Sequence, residues 1–81
     1  MHVRARFFAS YRELVGASEL EFEVPPGATV AEALSRLRAR DGGFGRLPTS
    51  VAVAVNREYA TPDRGLEEGD ELALLPPVAG G

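Results

Sequence analysis

Hydrophobic and polar residues alternate along several short stretches of the chain. The alternation runs over residues 2–8 and 19–24; valine alternates with alanine over 51–55, and two further apolar segments follow at 59–60 and 71–75. In the first stretch Val3, Ala5 and Phe7 are apolar while their neighbours are mostly polar, which is the two-residue period of a half-buried strand. The pattern therefore predicts five strands, of which the fourth is very short.

A short helical segment is predicted between the first two strands. Ser10-Tyr-Arg-Glu13 has the spacing of a capping box, in which Ser10 would be the N-cap. Gly16 follows closely as a stop signal. These signals together predict about one helical turn.

A longer helix is predicted over residues 30–40. Thr29-Val-Ala-Glu32 is a second capping box, and Asp41-Gly42-Gly43 provides the stop. The apolar positions that share one helical face are Val30, Ala33, Leu34 and Leu37. The arginines of its last turns, Arg36, Arg38 and Arg40, complement the negative end of the helix dipole. Residues 44–50 are expected to form a loop.

The order of these elements predicts the fold. One main helix can cover only one face of a sheet, so we expect an α+β roll with a mixed sheet, one main helix and a short helical turn. This order is that of the β-grasp, or ubiquitin-like, fold, in which the first and last strands lie parallel at the centre. The expected division is a β-grasp domain over residues 1–75 and an extended tail over residues 76–81.

Composition excludes several kinds of function. The 81 residues contain no cysteine and one histidine, which argues against thiol catalysis, disulfides and a Cys/His zinc site. We expect His2 to be an exposed strand residue, and we expect the chain to bind no metal and no cofactor. A net charge of −3 argues against nucleic acid binding. Without a long apolar run or a signal-peptide pattern, we expect no membrane association and a cytoplasmic location.

The carboxyl-terminal tail carries the strongest functional signal. Glu68-Gly69-Asp70 is a turn, a short strand follows, and Pro76-Pro77 must end that strand because proline has no N–H to donate. The two prolines form a stiff spacer. Side-chain bulk then decreases through Val78, Ala79, Gly80 and Gly81, so bare backbone could enter a narrow channel. We predict that the α-carboxylate of Gly81 is the reactive group and that Gly80 is a steric gate. The alternative is an inert, disordered chain end.

Two large apolar residues interrupt the alternation. If Val3, Ala5 and Phe7 face the helix, Phe8 lies on the opposite face, and Leu75 does the same after Leu74. With Tyr59 beside them, they would form an exposed apolar patch of the kind that binds a partner protein. The alternative is a bulge that shifts the register and returns these residues to the margin of the core.

Several motifs resemble a known family. They are Phe7-Phe8-Ala9, Arg12-Glu13-Leu14-Val15-Gly16, Val55-Asn56 before a hairpin, Glu68-Gly69-Asp70-Glu71, and Pro76-Pro77-Val78-Ala79-Gly80-Gly81. Together they resemble the small, sulfur-carrier subunits of molybdopterin synthase, over the whole length of the chain. The ending is the most specific part.

The resemblance implies a carrier that is not an enzyme on its own. In that family an E1-like adenylating enzyme uses ATP to activate the terminal glycine, and a sulfur donor protein then converts it to a thiocarboxylate. The large synthase subunit takes in the tail, where the sulfur passes to cyclic pyranopterin monophosphate, in a heterotetramer. By this resemblance Gly81 reacts beside Gly80, and the partner-binding residues are Pro76, Pro77, Val78, Ala79, Phe8, Tyr59 and Leu75.

Other functions remain open from sequence. A thiamine-pathway sulfur carrier would share the fold and the Gly-Gly end, although the double proline favours the molybdopterin pathway. A ubiquitin-like modifier of lysines on other proteins would use the same activated terminus. A β-grasp binding module with an inert tail is the third alternative.

Overall fold

The computed structural model describes residues 1–77, which form five strands, two α-helices and a short 3₁₀ helix. In chain order these are β1 (His2–Phe7), α1 (Ala9–Val15), β2 (Glu19–Glu23), α2 (Val30–Arg38), the 3₁₀ helix (Gly42–Arg46), β3 (Ala52–Val55), β4 (Glu58–Ala60) and β5 (Glu71–Leu75). All five predicted strands are confirmed, and β5 has the predicted bounds. Within the described range neither helix has the length and apolarity needed to cross a membrane.

The strands form one mixed sheet in the order β2-β1-β5-β3-β4. β1 and β5 are parallel, whereas the other neighbouring pairs are antiparallel. The last strand therefore lies at the centre of the sheet, with a parallel neighbour that a long crossover connects to it. This arrangement confirms the predicted α+β roll.

One face of the sheet is buried against α2. The strand residues on this face are Val3, Ala5, Phe7, Phe22, Val53, Val55, Leu72 and Leu74, and α2 contributes Val30, Ala33, Leu34 and Leu37. The predicted helical stripe is thus confirmed. Burial of each large aliphatic side chain stabilises the fold by roughly 1.5 to 3 kcal/mol. The other face of the sheet is left open.

The start of α2 follows the prediction, but its end does not. The backbone N–H of Glu32 donates to the Thr29 side chain at 3.3 Å, as the capping box predicted. The helix ends at Arg38, two residues before the predicted end, with Ala39 as its C-cap.

The predicted loop over residues 44–50 is wrong in part, because its first residues belong to the 3₁₀ helix. The Phe44 ring packs edge-on against Phe7 at 5.8 Å between centroids, which holds this segment on the core.

The helix α1 starts two residues before the position that the Ser10 capping box implied. Phe8 is the N-cap, and its carbonyl accepts the N–H of Tyr11 at 3.0 Å. Tyr11 is 6% exposed. Burial of this ring, and not capping by the Ser10 side chain, therefore determines which face of the helix points to the core. The stop at Gly16 is confirmed, since its φ of 79° is a left-handed conformation that glycine adopts without strain.

Candidate functional site

The open face of the sheet has a charged half and an apolar half. β2 and the first part of β1 carry the charged half, where three glutamates face basic side chains across the strand pair. β5, β3 and β4 carry the apolar half. The residues that we call the apolar patch are Phe8, Ala52, Ala54, Tyr59, Ala73 and Leu75.

The patch residues lie where the alternation predicted. Phe8 is 37% exposed and Tyr59 is 82% exposed. Leu75 is half-buried and alternates with the fully buried Leu74, so its side chain lies on the open face. The ladder between β1 and β5 continues without a bulge to the pair of Phe7 with Leu74. The alternative of a shifted register is therefore wrong, although the binding role of the patch stays a prediction.

Alanines make the middle of the apolar patch flat. Ala54 pairs with Tyr59 on one side and with Ala73 on the other, and Ala52 pairs with Leu75. Three small side chains thus separate the larger ones. The sequence analysis missed this feature, although alanine alternates with valine throughout β3.

The tail begins at the same edge of the sheet as Phe8. Because β1 and β5 are parallel, their carboxyl ends meet there, and Phe8 follows β1 as Pro76 follows β5. Pro76 is half-buried and Pro77 is exposed, and neither belongs to the strand. The predicted site residues Val78, Ala79, Gly80 and Gly81 lie outside the described residues.

Ion pairs join some of the charged side chains that face each other across the β1–β2 hairpin. The imidazole Nε2 of His2 lies 3.0 Å from the Glu23 carboxylate, and Arg4 lies 3.3 Å from Glu21. Arg6 is opposite Glu19 in the register but forms no ion pair with any residue of the described range. Its guanidinium carbon instead lies 5.2 Å from the centre of the Phe8 ring.

A polar cluster that the sequence analysis missed lies at the opposite edge of the sheet. Asp70 is 6% exposed, and its carboxylate accepts from Asn56 at 2.8 Å and from the Glu67 N–H at 2.9 Å. Arg64 lies 3.5 Å away. Burial raises the pKa of Asp70, but the hydrogen bonds from Glu67 and Asn56 and the Arg64 charge outweigh it and lower the pKa below its ordinary value.

Four depressions on the described surface have no residue of the apolar patch in their lining. One of them has a volume of about 400 Å³ and lies on the open face at the far end from Pro76; it is lined by His2, Val3, Arg4, Glu21, Gly69 and Glu71. Over residues 1–77, no three His, Asp or Glu side chains converge in a way that could hold a metal ion. The site that the structure offers is therefore a flat surface next to an emerging tail.

The ThiS family model matches residues 5–81, which is nearly the whole chain. The chain belongs to the ThiS family. Among curated relatives, it is 32% identical to the molybdopterin synthase sulfur carrier subunit of Chlamydomonas reinhardtii, and the alignment covers 100% of both chains. It is 37% identical to the small archaeal modifier protein 3 of Haloferax volcanii, again over 100% of both.

Solved structures have the same architecture. The putative molybdopterin converting factor subunit 1 of Pyrococcus furiosus superposes with a TM-score of 0.84 at 30% identity, covering 96% of this chain and 99% of that one. A chain in the complex of subunits 1 and 2 of the molybdopterin-converting factor from Helicobacter pylori superposes with a TM-score of 0.72 at 26% identity, covering 100% of each. These matches confirm the β-grasp, ubiquitin-like fold.

Proposed function

We propose that this ThiS-family chain is the sulfur carrier subunit of a molybdopterin synthase and works in the cytoplasm. The α-carboxylate of Gly81 is adenylated by an E1-like enzyme at the expense of ATP. A sulfur donor protein then displaces the adenylate and leaves a thiocarboxylate. In the large subunit this group gives its sulfur to cyclic pyranopterin monophosphate, and the chain itself binds no cofactor.

The observation that carries the proposal is the junction between β5 and the tail. The central strand of the sheet runs directly into Pro76-Pro77, so the tail starts from a strand that is paired on both sides. The apolar patch lies at the same point, with Leu75 immediately before the prolines. A partner that covers the patch would therefore contact the chain directly beside the start of the tail.

The chemistry explains why such a chain needs partners. A carboxylate is unreactive toward sulfur until a good leaving group is attached, and this requires groups that bind nucleotide and stabilise developing charge. The apolar patch beside the tail carries no charged side chain that could serve in this way. The activating enzyme and the large subunit would supply them, so the chain acts as a cosubstrate.

The proposed partner surface is the apolar patch. Its aromatic and aliphatic residues are of the types that contribute most to protein interfaces, and a half-covered sheet leaves them accessible. The Helicobacter pylori complex of subunits 1 and 2 supports a large subunit as the partner. We expect a heterotetramer built on a dimer of large subunits.

Intact-mass measurement of the chain isolated from its native host tests the proposal. We expect a fraction of molecules that are heavier by the difference between a sulfur and an oxygen atom. Fragmentation should place this difference at Gly81, and incubation with the large subunit and cyclic pyranopterin monophosphate should remove it. A mass that is unchanged in cells actively making molybdopterin would contradict the proposal.

Protein modification is a second candidate function, because relatives of this chain include small archaeal modifier proteins 1 and 3. The same activated Gly81 would then react with lysines of other proteins. All nine basic residues of this chain are arginine, so it could not extend a chain through its own lysines. Accumulation of lysine-linked adducts, lost when Gly81 is deleted, would identify this activity.

A further inference from the structure

Arg6 lies at the boundary between the charged half and the apolar patch of the open face. In the register it has Glu19 on β2 and Ala73 on β5 as neighbours. The side chain is half-buried, and its guanidinium carbon lies 5.2 Å from the centre of the Phe8 ring. The cation is thus held beside apolar surface.

Arg4 differs from Arg6 although both lie on the same strand and the same face. Arg4 has an ion pair with Glu21 at 3.3 Å. For Arg6 no carboxylate of residues 1–77 is within ion-pair distance, and no protein acceptor is hydrogen-bonded to its guanidinium in that range. Arg4 is therefore neutralised within the sheet, whereas the charge of Arg6 remains available.

The position of Arg6 favours an acidic group over an apolar group on the partner. A guanidinium that lies on an aromatic ring keeps its N–H groups directed outward along its edge, where they can bind a carboxylate with two hydrogen bonds. A partner that covers Phe8 and Leu75 would also remove water from Arg6. An acidic partner group would compensate for this loss with charge-assisted hydrogen bonds, whereas an apolar one would leave a desolvated cation.

We infer that Arg6 is a specificity-determining residue of the apolar patch and binds a carboxylate of the partner that docks there. This inference rests on the proposed function, which makes the large subunit that partner. The large subunit must then carry an aspartate or glutamate within an otherwise apolar contact surface. The pair sets the orientation of the two proteins before the tail enters.

Calorimetric titration of the full chain into the large subunit, at low and at high salt, tests this inference. Arg6→Met keeps the aliphatic stem over Phe8 but removes the charge, and we expect it to lower affinity about tenfold and to reduce the salt dependence of binding. Arg6→Lys should recover part of the loss. Arg4→Met is the matched control and should change affinity by less than about twofold, because an exposed ion pair contributes little.

The variants separate failure of this inference from failure of the proposed function. If Arg6→Met binds as tightly as the wild type while Leu75→Glu weakens binding, Arg6 has no such role and the patch remains the interface. Equal losses in Arg6→Met and Arg4→Met would also overturn the inference, since they would indicate general charge attraction. If neither Leu75→Glu nor Arg6→Met affects binding, the proposed interface itself is wrong. Arg6→Gln serves as the neutral variant should Arg6→Met fail to fold.

Discussion

The side-chain amide of Asn56 donates a hydrogen bond of 2.8 Å to the carboxylate of Asp70 and so ties the β3–β4 turn to the start of β5. The amide oxygen of Asn56 also accepts the backbone N–H of Glu71 at 3.0 Å. Asn56 has a φ of 49°, a conformation that asparagine tolerates better than most residues. One side chain therefore shapes a turn and anchors the central strand that leads to the tail.

Removal of the Asp70 carboxylate should destabilise the fold in a pH-dependent way. Asp70→Ala leaves donors of Asn56 and Glu67 without their acceptor, and we expect it to lower the free energy of unfolding by about 1–3 kcal/mol at neutral pH. The pKa of Asp70 is lowered in the folded state, so its contribution is fully present above the unfolded value of about 3.9 and is lost as pH falls through the folded value.

Urea denaturation between about pH 2 and about pH 7 measures this dependence. The difference between wild type and Asp70→Ala should narrow as the solution becomes more acidic. Glu13→Gln is the control, because Glu13 is exposed and forms no ion pair within the described residues. A difference that stays constant down to the lowest pH would show that the charge of Asp70 contributes nothing.

Substitution of Gly43 should also destabilise the fold. A β-carbon on Gly43 would overlap the carbonyl oxygen of Leu14 and lie 2.6 Å from its carbonyl carbon, so α1 and the 3₁₀ helix would have to separate. We expect Gly43→Ala to cost about 1–3 kcal/mol, the usual range for overpacking. Gly45→Ala is the matched control in the same helix, since its β-carbon would meet no atom closer than 3.7 Å. Equal stabilities of the two variants would contradict the close approach.

Leu75→Glu should weaken binding of the large subunit without unfolding the chain. Burial of Leu75 at the centre of an interface contributes roughly 1.5–3 kcal/mol, so we expect at least about a tenfold loss of affinity. The melting temperature of the isolated domain should be unchanged, because Leu75 lies on the open face. Calorimetry and thermal denaturation provide the two measurements. A variant that unfolds would instead assign Leu75 to the core.

Gly81→Ala and deletion of Gly81 should each abolish or greatly reduce sulfur transfer. An added methyl group would obstruct a channel that fits bare backbone, and deletion would move the carboxylate away from the reacting atoms. Circular dichroism should show an intact fold for both variants. Molybdopterin formation in a purified system gives the activity, and full activity of the deleted chain would exclude the carrier function.

Replacement of Pro76 and Pro77 by glycine should weaken large-subunit binding but still permit adenylation. The prolines limit the conformations that the free tail must lose on docking, which favours binding by about 1 kcal/mol. Calorimetry measures the affinity, and pyrophosphate release by the activating enzyme measures adenylation. Unchanged affinity would contradict a role for the stiff spacer.

Local sequence pattern was sufficient for the strands of this protein, for the start of its main helix and for two residues of the apolar patch. Strand alternation and the capping box at Thr29 act over a few residues, so they predicted the strands and the start of α2 correctly. The same alternation placed Phe8 and Leu75 on the open face. Order of elements then determined the fold class, because one helix can cover one face of a sheet.

Tertiary structure decided the features that depend on residues distant in sequence. The first helix begins after Phe8 and buries Tyr11, although the local signal at Ser10 predicted a later start. Phe44 contacts Phe7, and the segment around Phe44 forms a 3₁₀ helix where a loop was predicted. The bond from Asn56 to Asp70 spans fourteen residues. Arg6 is opposite Glu19 in the register, which would suggest an ion pair between them. Its guanidinium instead lies over the Phe8 ring, and only the three-dimensional structure shows this contact. Such contacts follow from packing in three dimensions, which no periodic pattern along the chain encodes.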